Sequence, residues 1–258
     1  MKYSYAELAG MIDHALLHPS LTDTEIIDGC RLAHHYSVAS VCVKPSAISI
    51  ATLALQGSTV AVGTVIGFPH GSNSTEVKRL ETAAACADGA TEIDMVINIG
   101  KSLAGDFAYV EAEIRAVCTE AHRFGAIVKV IFETDYLPND HLKIRLCQIS
   151  GQAGADFVKT STGFASIPLA NAAPTTRGAT PHDLILMRHH SPSNVQVKAS
   201  GGIRNLATLI AFRELGATRC GTSATAEILN EYLTTHGTII SDFPSPILPP
   251  KPSTEIVY

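Results

Sequence analysis

The sequence predicts a single (β/α)8 barrel, and three observations carry that expectation. A phrase of helix, Gly-Ala and apolar run recurs, with its glycines at Gly89, Gly125, Gly154 and Gly216. Their spacings are 36, 29 and 62, the last being two units of 31. Glycine supplies the left-handed residue that ends a helix, and a helix-Gly-strand unit of about 30 residues is what a parallel βαβ crossover needs. Eight such apolar runs alternating with helical segments fit a barrel. The runner-up is a doubly wound open sheet. It would show a Gly-rich dinucleotide fingerprint after an early strand, and VCVKPSA is not one.

Each element can be read in order. The first run is IDHALL from Ile12, and Thr22 with Glu25 then forms a capping box that opens a helix. VASVCVK from Val38 and TVAVGTVIGF from Thr59 follow. The phrases DGATEIDMVIN from Asp88, FGAIVKVIFE from Phe124 and AGADFVKTS from Ala153 give the fourth to sixth runs. A long insertion, Gly163 to Thr180, then breaks the rhythm, and Thr180-Pro181 places Pro at the first position of the next helix. NVQVKAS from Asn194 and LGATRCGTS from Leu215 complete the eight. The division expected is a barrel over residues 1–237 and a tail over 238–258. The tail carries five of the 13 prolines, which excludes helix and central strand.

Composition bounds the function. A chain of 258 residues with 46% hydrophobic content can build one large core. Net charge is −5 and no Lys/Arg cluster exceeds two adjacent residues, which argues against nucleic acid and anionic membrane as partners. No leader pattern and no apolar run of about 18 residues is present, so a soluble, cytoplasmic protein is expected. Six scattered cysteines without a CxxC pair read as free thiols.

Charges stand where strands should be apolar. Asp94, Lys129, Lys159 and Lys198 fall in four successive runs, and residues at the C-terminal ends of barrel strands face the active site. A lone lysine of this kind ordinarily snorkels to the rim or pairs with a carboxylate. Four converging groups are a different matter, because an unpaired buried ammonium costs several kcal/mol. Desolvation and like-charge repulsion lower lysine pKa values, and a neutral amine is the requirement for attack on a carbonyl. The constellation suggests an imine-forming lysine, a neighbour that tunes it and a carboxylate that moves protons, without saying which lysine is which. Gly201-Gly202 after the seventh run, and Gly221, Thr222 and Ser223 after the eighth, stand where barrels bind phosphate through backbone N–H groups.

FVKTSTGF, EIDMVINIG, TVIGFPHG, VKASGGIR and GATRCGTS together resemble the deoxyribose-phosphate aldolases, a family of class I aldolases, from about Ile12 to Leu229. The resemblance implies a lyase that reversibly cleaves 2-deoxy-D-ribose 5-phosphate to D-glyceraldehyde 3-phosphate and acetaldehyde, a step of deoxyribonucleotide catabolism. It implies a covalent lysine imine, no cofactor and no metal. Carried over by motif, Lys159 is the Schiff-base lysine, Lys198 its pKa-lowering neighbour, Asp94 the proton-relay carboxylate and Lys129 the residue that holds Asp94. Asp13 and Cys42 match mouth-lining positions. Thr160, Gly163, Gly201, Gly202, Gly221 and Ser223 match substrate- and phosphate-binding positions. Some members end in a tyrosine whose tail reaches the site, and Tyr258 ends this chain. Three features depart from the family pattern: about eight extra residues including Arg177 in the insertion, Lys44 in VCVKP, and Ala224 where serine is common.

Rival readings are a related Schiff-base lyase or transferase acting on another phosphorylated or unphosphorylated sugar, and a catalytically silent sugar-phosphate-binding protein. A metal-dependent aldolase would want three convergent ligands. His14 with His18, and the pairs His34-His35 and His189-His190, do not supply them. A sugar phosphate is the expected ligand. A homodimer or higher homo-oligomer is a candidate assembly, since soluble proteins commonly pair symmetrically.

Overall fold

The computed structural model describes residues 2–169 and 172–236. Eight parallel strands close a barrel: β1 (Ile12–Leu16), β2 (Ser40–Val43), β3 (Ala61–Ile66), β4 (Glu92–Val96), β5 (Ile127–Ile131), β6 (Phe157–Lys159), β9 (Gln196–Ser200) and β10 (Ala217–Thr222). Each predicted run contains one of them. β10 pairs with β1 to close the ring, with Asp13 opposite Gly221. The helices between are α2 (Asp23–His35), α3 (Ile48–Ala54), α4 (Thr75–Ala87), α5 (Ile99–Leu103), α6 (Phe107–Arg123), α7 (Asp140–Ala153), α8 (Pro181–His190) and α9 (Leu206–Glu214). α10 (Thr225–His236) follows the last strand.

Local chemistry sets the boundaries. Thr22 and Glu25 make the reciprocal capping box at the start of α2, and Thr180 accepts from Asp183 N at the start of α8 with Pro181 at its first position. The four recurring glycines all have positive φ, from +73° at Gly125 to +111° at Gly89, and each turns the chain out of a helix toward a strand. The same capping signature, Ser4 with Glu7, opens a short helix α1 (Tyr5–Ala9) that the strand-and-helix rhythm does not contain.

The described part of the insertion carries regular structure of its own. It holds an antiparallel pair, β7 (Ile167–Leu169) and β8 (Ala172–Thr175), separate from the barrel sheet. Both feet of this hairpin are tied to the single 3₁₀ turn Thr134–Tyr136 that follows β5. Ser166 N donates to the Tyr136 hydroxyl at 2.9 Å. At the other foot Asp135 Oδ2 accepts from Thr176 Oγ1 and Arg177 N, both at 2.8 Å, and from Gly178 N at 3.2 Å. The proposed tail, with Tyr258, lies outside the described residues, as does the boundary at 237.

The core is a continuous sleeve of buried aliphatics between strands and helices, among them Val41, Ile93, Met95, Val128, Val158 and Val197. Their neighbours one residue along point into the barrel. There, in place of apolar layers, sit Asp94, Lys129, Lys159 and Lys198. Outside the barrel, Lys78 of α4 is also fully buried. Its Nζ donates to Glu113 of α6 at 2.6 Å, to Gly71 O at 2.8 Å and to Val96 O at 2.7 Å.

Candidate active site

Strand alternation brings side chains from six strands to one point. Lys159 and Lys198 are register partners on β6 and β9, and Asp94 and Lys129 are partners on β4 and β5. Asp94 is the hub. Its Oδ1 accepts from Lys129 Nζ at 2.8 Å, and its Oδ2 accepts from both Lys159 Nζ and Lys198 Nζ at 2.7 Å. All four side chains are at most 2% exposed.

Beneath them is a layer the sequence reading did not assemble. Glu92, two residues before Asp94 and so on the same face of β4, accepts from Lys129 Nζ at 2.6 Å. Arg219 of β10 donates through Nε to Asp13 Oδ1 at 2.6 Å, and through Nη2 to Glu92 at 2.6 and 2.7 Å and to Ser40 Oγ at 3.2 Å. Asp13 Oδ2 lies 2.5 Å from Lys198 Nζ and 3.7 Å from Lys129 Nζ. Asp13, expected to line the mouth, therefore also joins the deep ion-pair network. The available signal was the period of two: Glu92 with Asp94, and Arg219 with Gly221.

The electrostatics separate the three lysines. Burial pushes the Lys159 amine down, and the Lys198 ammonium adds to this, against the single carboxylate Asp94. Burial also pushes Lys198 and Lys129 down, but their carboxylates outweigh it: Asp13 and Asp94 at Lys198, chiefly Asp94 and Glu92 at Lys129. Both end above the usual lysine range. The sequence expectation of a general lowering is thus corrected, because it counted one anion where three are present. Burial pushes Asp94 up, yet the lysines around it, Lys129 foremost, hold it well below the usual carboxylate range.

A cleft opens above this cluster at the C-terminal end of the strands. Asp13, Cys42, Lys159 and Lys198 form its floor, and Gly163, Gly201, Gly202, Gly221 and Ser223 stand on its walls. Asp94 and Lys129 do not line it; they lie beneath the lysines. Thr160 does not line it either. It is fully buried, its hydroxyl donating to Ser200 O at 3.2 Å and accepting from Ser200 N at 3.1 Å, so it ties β6 to β9. From the same segment it is Thr162 that faces the cleft, its hydroxyl bonded to the buried Glu133.

Cys42 is buried, and burial pushes its thiol up to about 11, so it is not a reactive thiolate at the mouth. Gly221 is needed for space: a Cβ there would meet Ser200 Oγ at 2.8 Å and Lys198 Cε at 3.4 Å. Lys44 does not line the cleft; it donates to the carbonyls of His18, Pro19 and Leu21 at 3.2 to 3.3 Å. Arg177 lies beside Asp135, 3.4 Å from its Oδ1. Arg204, which the sequence reading passed over, is exposed on the wall that carries Gly201 and Gly202, without an ion-pair partner among the described residues. His14 bonds Thr225 and His18 bonds Ser20, and no group of three metal-ligating side chains occurs among the described residues.

A closed parallel barrel with a lysine-carboxylate cluster at the floor of its C-terminal cleft defines a barrel enzyme with an amine-centred site. The family model described as DeoC/LacD family aldolase matches residues 8–223. The chain belongs to that family of aldolases, and hence of lyases. It is 48% identical over 229 residues to the deoxyribose-phosphate aldolase of Rhodopirellula baltica, covering 89% of this chain and 90% of that one. It is 46% identical over 222 residues to that of Clostridium perfringens, covering 86% and 94%. The solved deoxyribose phosphate aldolase from Aeropyrum pernix, described as a unique tetramer, superposes with a TM-score of 0.80. It is 31% identical and covers 90% of this chain and 93% of that one.

Proposed function

We propose that the protein is a class I aldolase that reversibly cleaves 2-deoxy-D-ribose 5-phosphate to D-glyceraldehyde 3-phosphate and acetaldehyde, with no cofactor beyond its own lysine. One observation carries the assignment of the nucleophile. Of the three lysines on the barrel floor, Lys159 alone has a single carboxylate partner and a lowered pKa, and it faces the cleft. Lys198 is its tuning cation, and Lys129 with Glu92 and Asp13 fixes Asp94.

The chemistry follows from that placement. The neutral Lys159 amine adds to the C1 aldehyde carbon of the open-chain sugar, and loss of water gives a protonated imine. The C3 hydroxyl loses its proton and the C2–C3 bond breaks. Its electron pair flows into the imine to leave an enamine on Lys159, and C3 departs as the aldehyde of glyceraldehyde 3-phosphate. Protonation at C2 and addition of water release acetaldehyde and the amine. Asp94 Oδ2 accepts from both lysine nitrogens and so carries protons between them, while the hydroxyl proton reaches it through a water. The 5-phosphate is received by the backbone at Gly163, Gly201, Gly202 and Gly221 with Ser223, and by the exposed guanidinium of Arg204. Tyr258 is a candidate for proton transfer at the acetaldehyde methyl.

Trapping tests this reading. Borohydride reduction in the presence of acetaldehyde or deoxyribose 5-phosphate should add the ligand mass to the peptide bearing Lys159, and EDTA should not alter the rate. An unmodified protein, or an adduct on another residue, would sink it. A sugar phosphate is the ligand expected, and assembly into oligomers is consistent with the tetrameric relative. No helix among the described residues is long and apolar enough to cross a membrane.

A further inference from the structure

The ion pairs beneath the cleft do not balance. Four cationic side chains, Lys129, Lys159, Lys198 and Arg219, meet three carboxylates, Asp13, Glu92 and Asp94. Six of the seven side chains are at most 8% exposed, and Arg219 is 14% exposed. Uncompensated charge in such a place is expensive, and buried groups neutralise to avoid it. The cluster becomes neutral when one cation gives up its proton.

Geometry says which one. A guanidinium does not deprotonate in proteins. Arg219 holds two carboxylates, Lys198 holds Asp13 and Asp94, and Lys129 holds Glu92 and Asp94. Lys159 holds Asp94 alone and shares that oxygen with Lys198. It is the cation that loses least by becoming an amine.

The other titratable groups around the cleft leave the count intact. β3 carries no titratable side chain. On β1, burial pushes His14 down to about 4, so it is neutral at pH 7. On β2, burial keeps Cys42 a thiol. After β5, the buried Glu133 carboxyl is committed to Thr162, and burial pushes it toward its neutral form.

We propose that Arg219 is a positioning residue for catalysis: as the one cation of the cluster that cannot deprotonate, it obliges Lys159 to be the neutral amine, with Glu92 as its counterweight. This rests on Lys159 being the imine-forming residue. Arg219 touches neither Lys159 nor the cleft and acts through Asp13 and Glu92.

The experiment is the pH dependence of acetaldehyde trapping at Lys159 by cyanoborohydride. Each variant is compared with the wild-type protein at every pH, and kcat/KM for deoxyribose 5-phosphate is followed in parallel. Arg219→Gln leaves three cations on three anions. Lys159 then stays protonated, and the ascending limb should move up by about 1 unit, a tenfold loss at pH values below the midpoint. Arg219→Lys supplies a cation that can give up its proton and lacks the guanidinium fork, so its limb should lie between those of the wild type and Arg219→Gln. Glu92→Gln removes an anion and should move the limb down. The double variant Glu92→Gln, Arg219→Gln removes one charge of each sign and should return the midpoint to the wild-type value, which also covers the case in which Arg219→Gln alone fails to fold. Shifts of Glu92→Gln and Arg219→Gln in the same direction, a double variant that does not return, or an equal loss at all pH values would overturn the inference. Wild-type protein that is not trapped at Lys159 would instead overturn the aldolase reading beneath it.

Discussion

At the scale of single residues, function rests on differences between chemically identical side chains. Lys159→Leu should abolish both trapping and turnover. Lys198→Leu should leave a folded barrel whose Lys159 titrates higher, with activity down about 10²-fold or more; wild-type rates would refute the tuning role. His14 offers a separate pH test. Unfolded, it binds its proton near the ordinary histidine value of about 6.5, and folded, burial delays this to about 4. Between those values the unfolded state holds more protons, so stability falls as pH falls, by on the order of 3 kcal/mol across the window. Urea unfolding from pH 7 to pH 4 should show that loss in the wild-type protein and a smaller one in His14→Gln. The residue scale is also where the sequence was most and least legible. Asp94, Lys129, Lys159 and Lys198 stood out because each interrupts an apolar run. Glu92 and Arg219 stayed hidden because the first opens its strand, where a charge reads as a solvated flank, and the second sits between a threonine and a cysteine with no apolar run around it. Nothing in one dimension shows that both reach the same carboxylate-lysine layer, since this depends on register around a closed ring.

At the scale of elements, the barrel strands were readable from the recurring Gly-Ala phrase because each helix must end before each strand begins. α1 was not readable by that rhythm, although Ser4 and Glu7 carry the same cap as Thr22 and Glu25. The hairpin of β7 and β8 escaped because Pro168 and Pro174 demote short runs to loop. Its return foot bears directly on the cleft. Gly178 packs on Gly201, and a Cβ at Gly178 would come within 2.7 Å of the Gly201 carbonyl carbon and oxygen, with φ already at +69°. Gly178→Ala should therefore displace the Gly201-Gly202 turn, costing about 1–3 kcal/mol of stability. KM for deoxyribose 5-phosphate should rise several-fold while the kinetics with unphosphorylated deoxyribose hold steady. Equal changes with both sugars would place the damage at the lysines instead.

At the scale of the whole molecule, two buried ionic centres have different tasks. The cluster inside the barrel is tuned for reactivity. The Lys78–Glu113 pair outside it joins α4 and α6 to the chain at Gly71 and the end of β4, with every donor and acceptor matched to a partner. Lys78→Met should cost about 3–5 kcal/mol by stranding Glu113, and adding Glu113→Leu should recover much of it, as thermal melts of single and double variants would reveal. Activity per folded molecule should change little in either. The two tethered feet of the hairpin have a consequence for the lineage of such barrels. Because Ser166 and residues 176–178 are clamped to one short turn, the ends of the excursion stay at a fixed separation whatever length of chain runs between them. Closing a longer flexible loop adds only about 0.6 kcal/mol per doubling of its length. The clamp thus makes this place a socket, where natural drift or a protein engineer can splice in a new rim over the cleft without asking the catalytic floor to move.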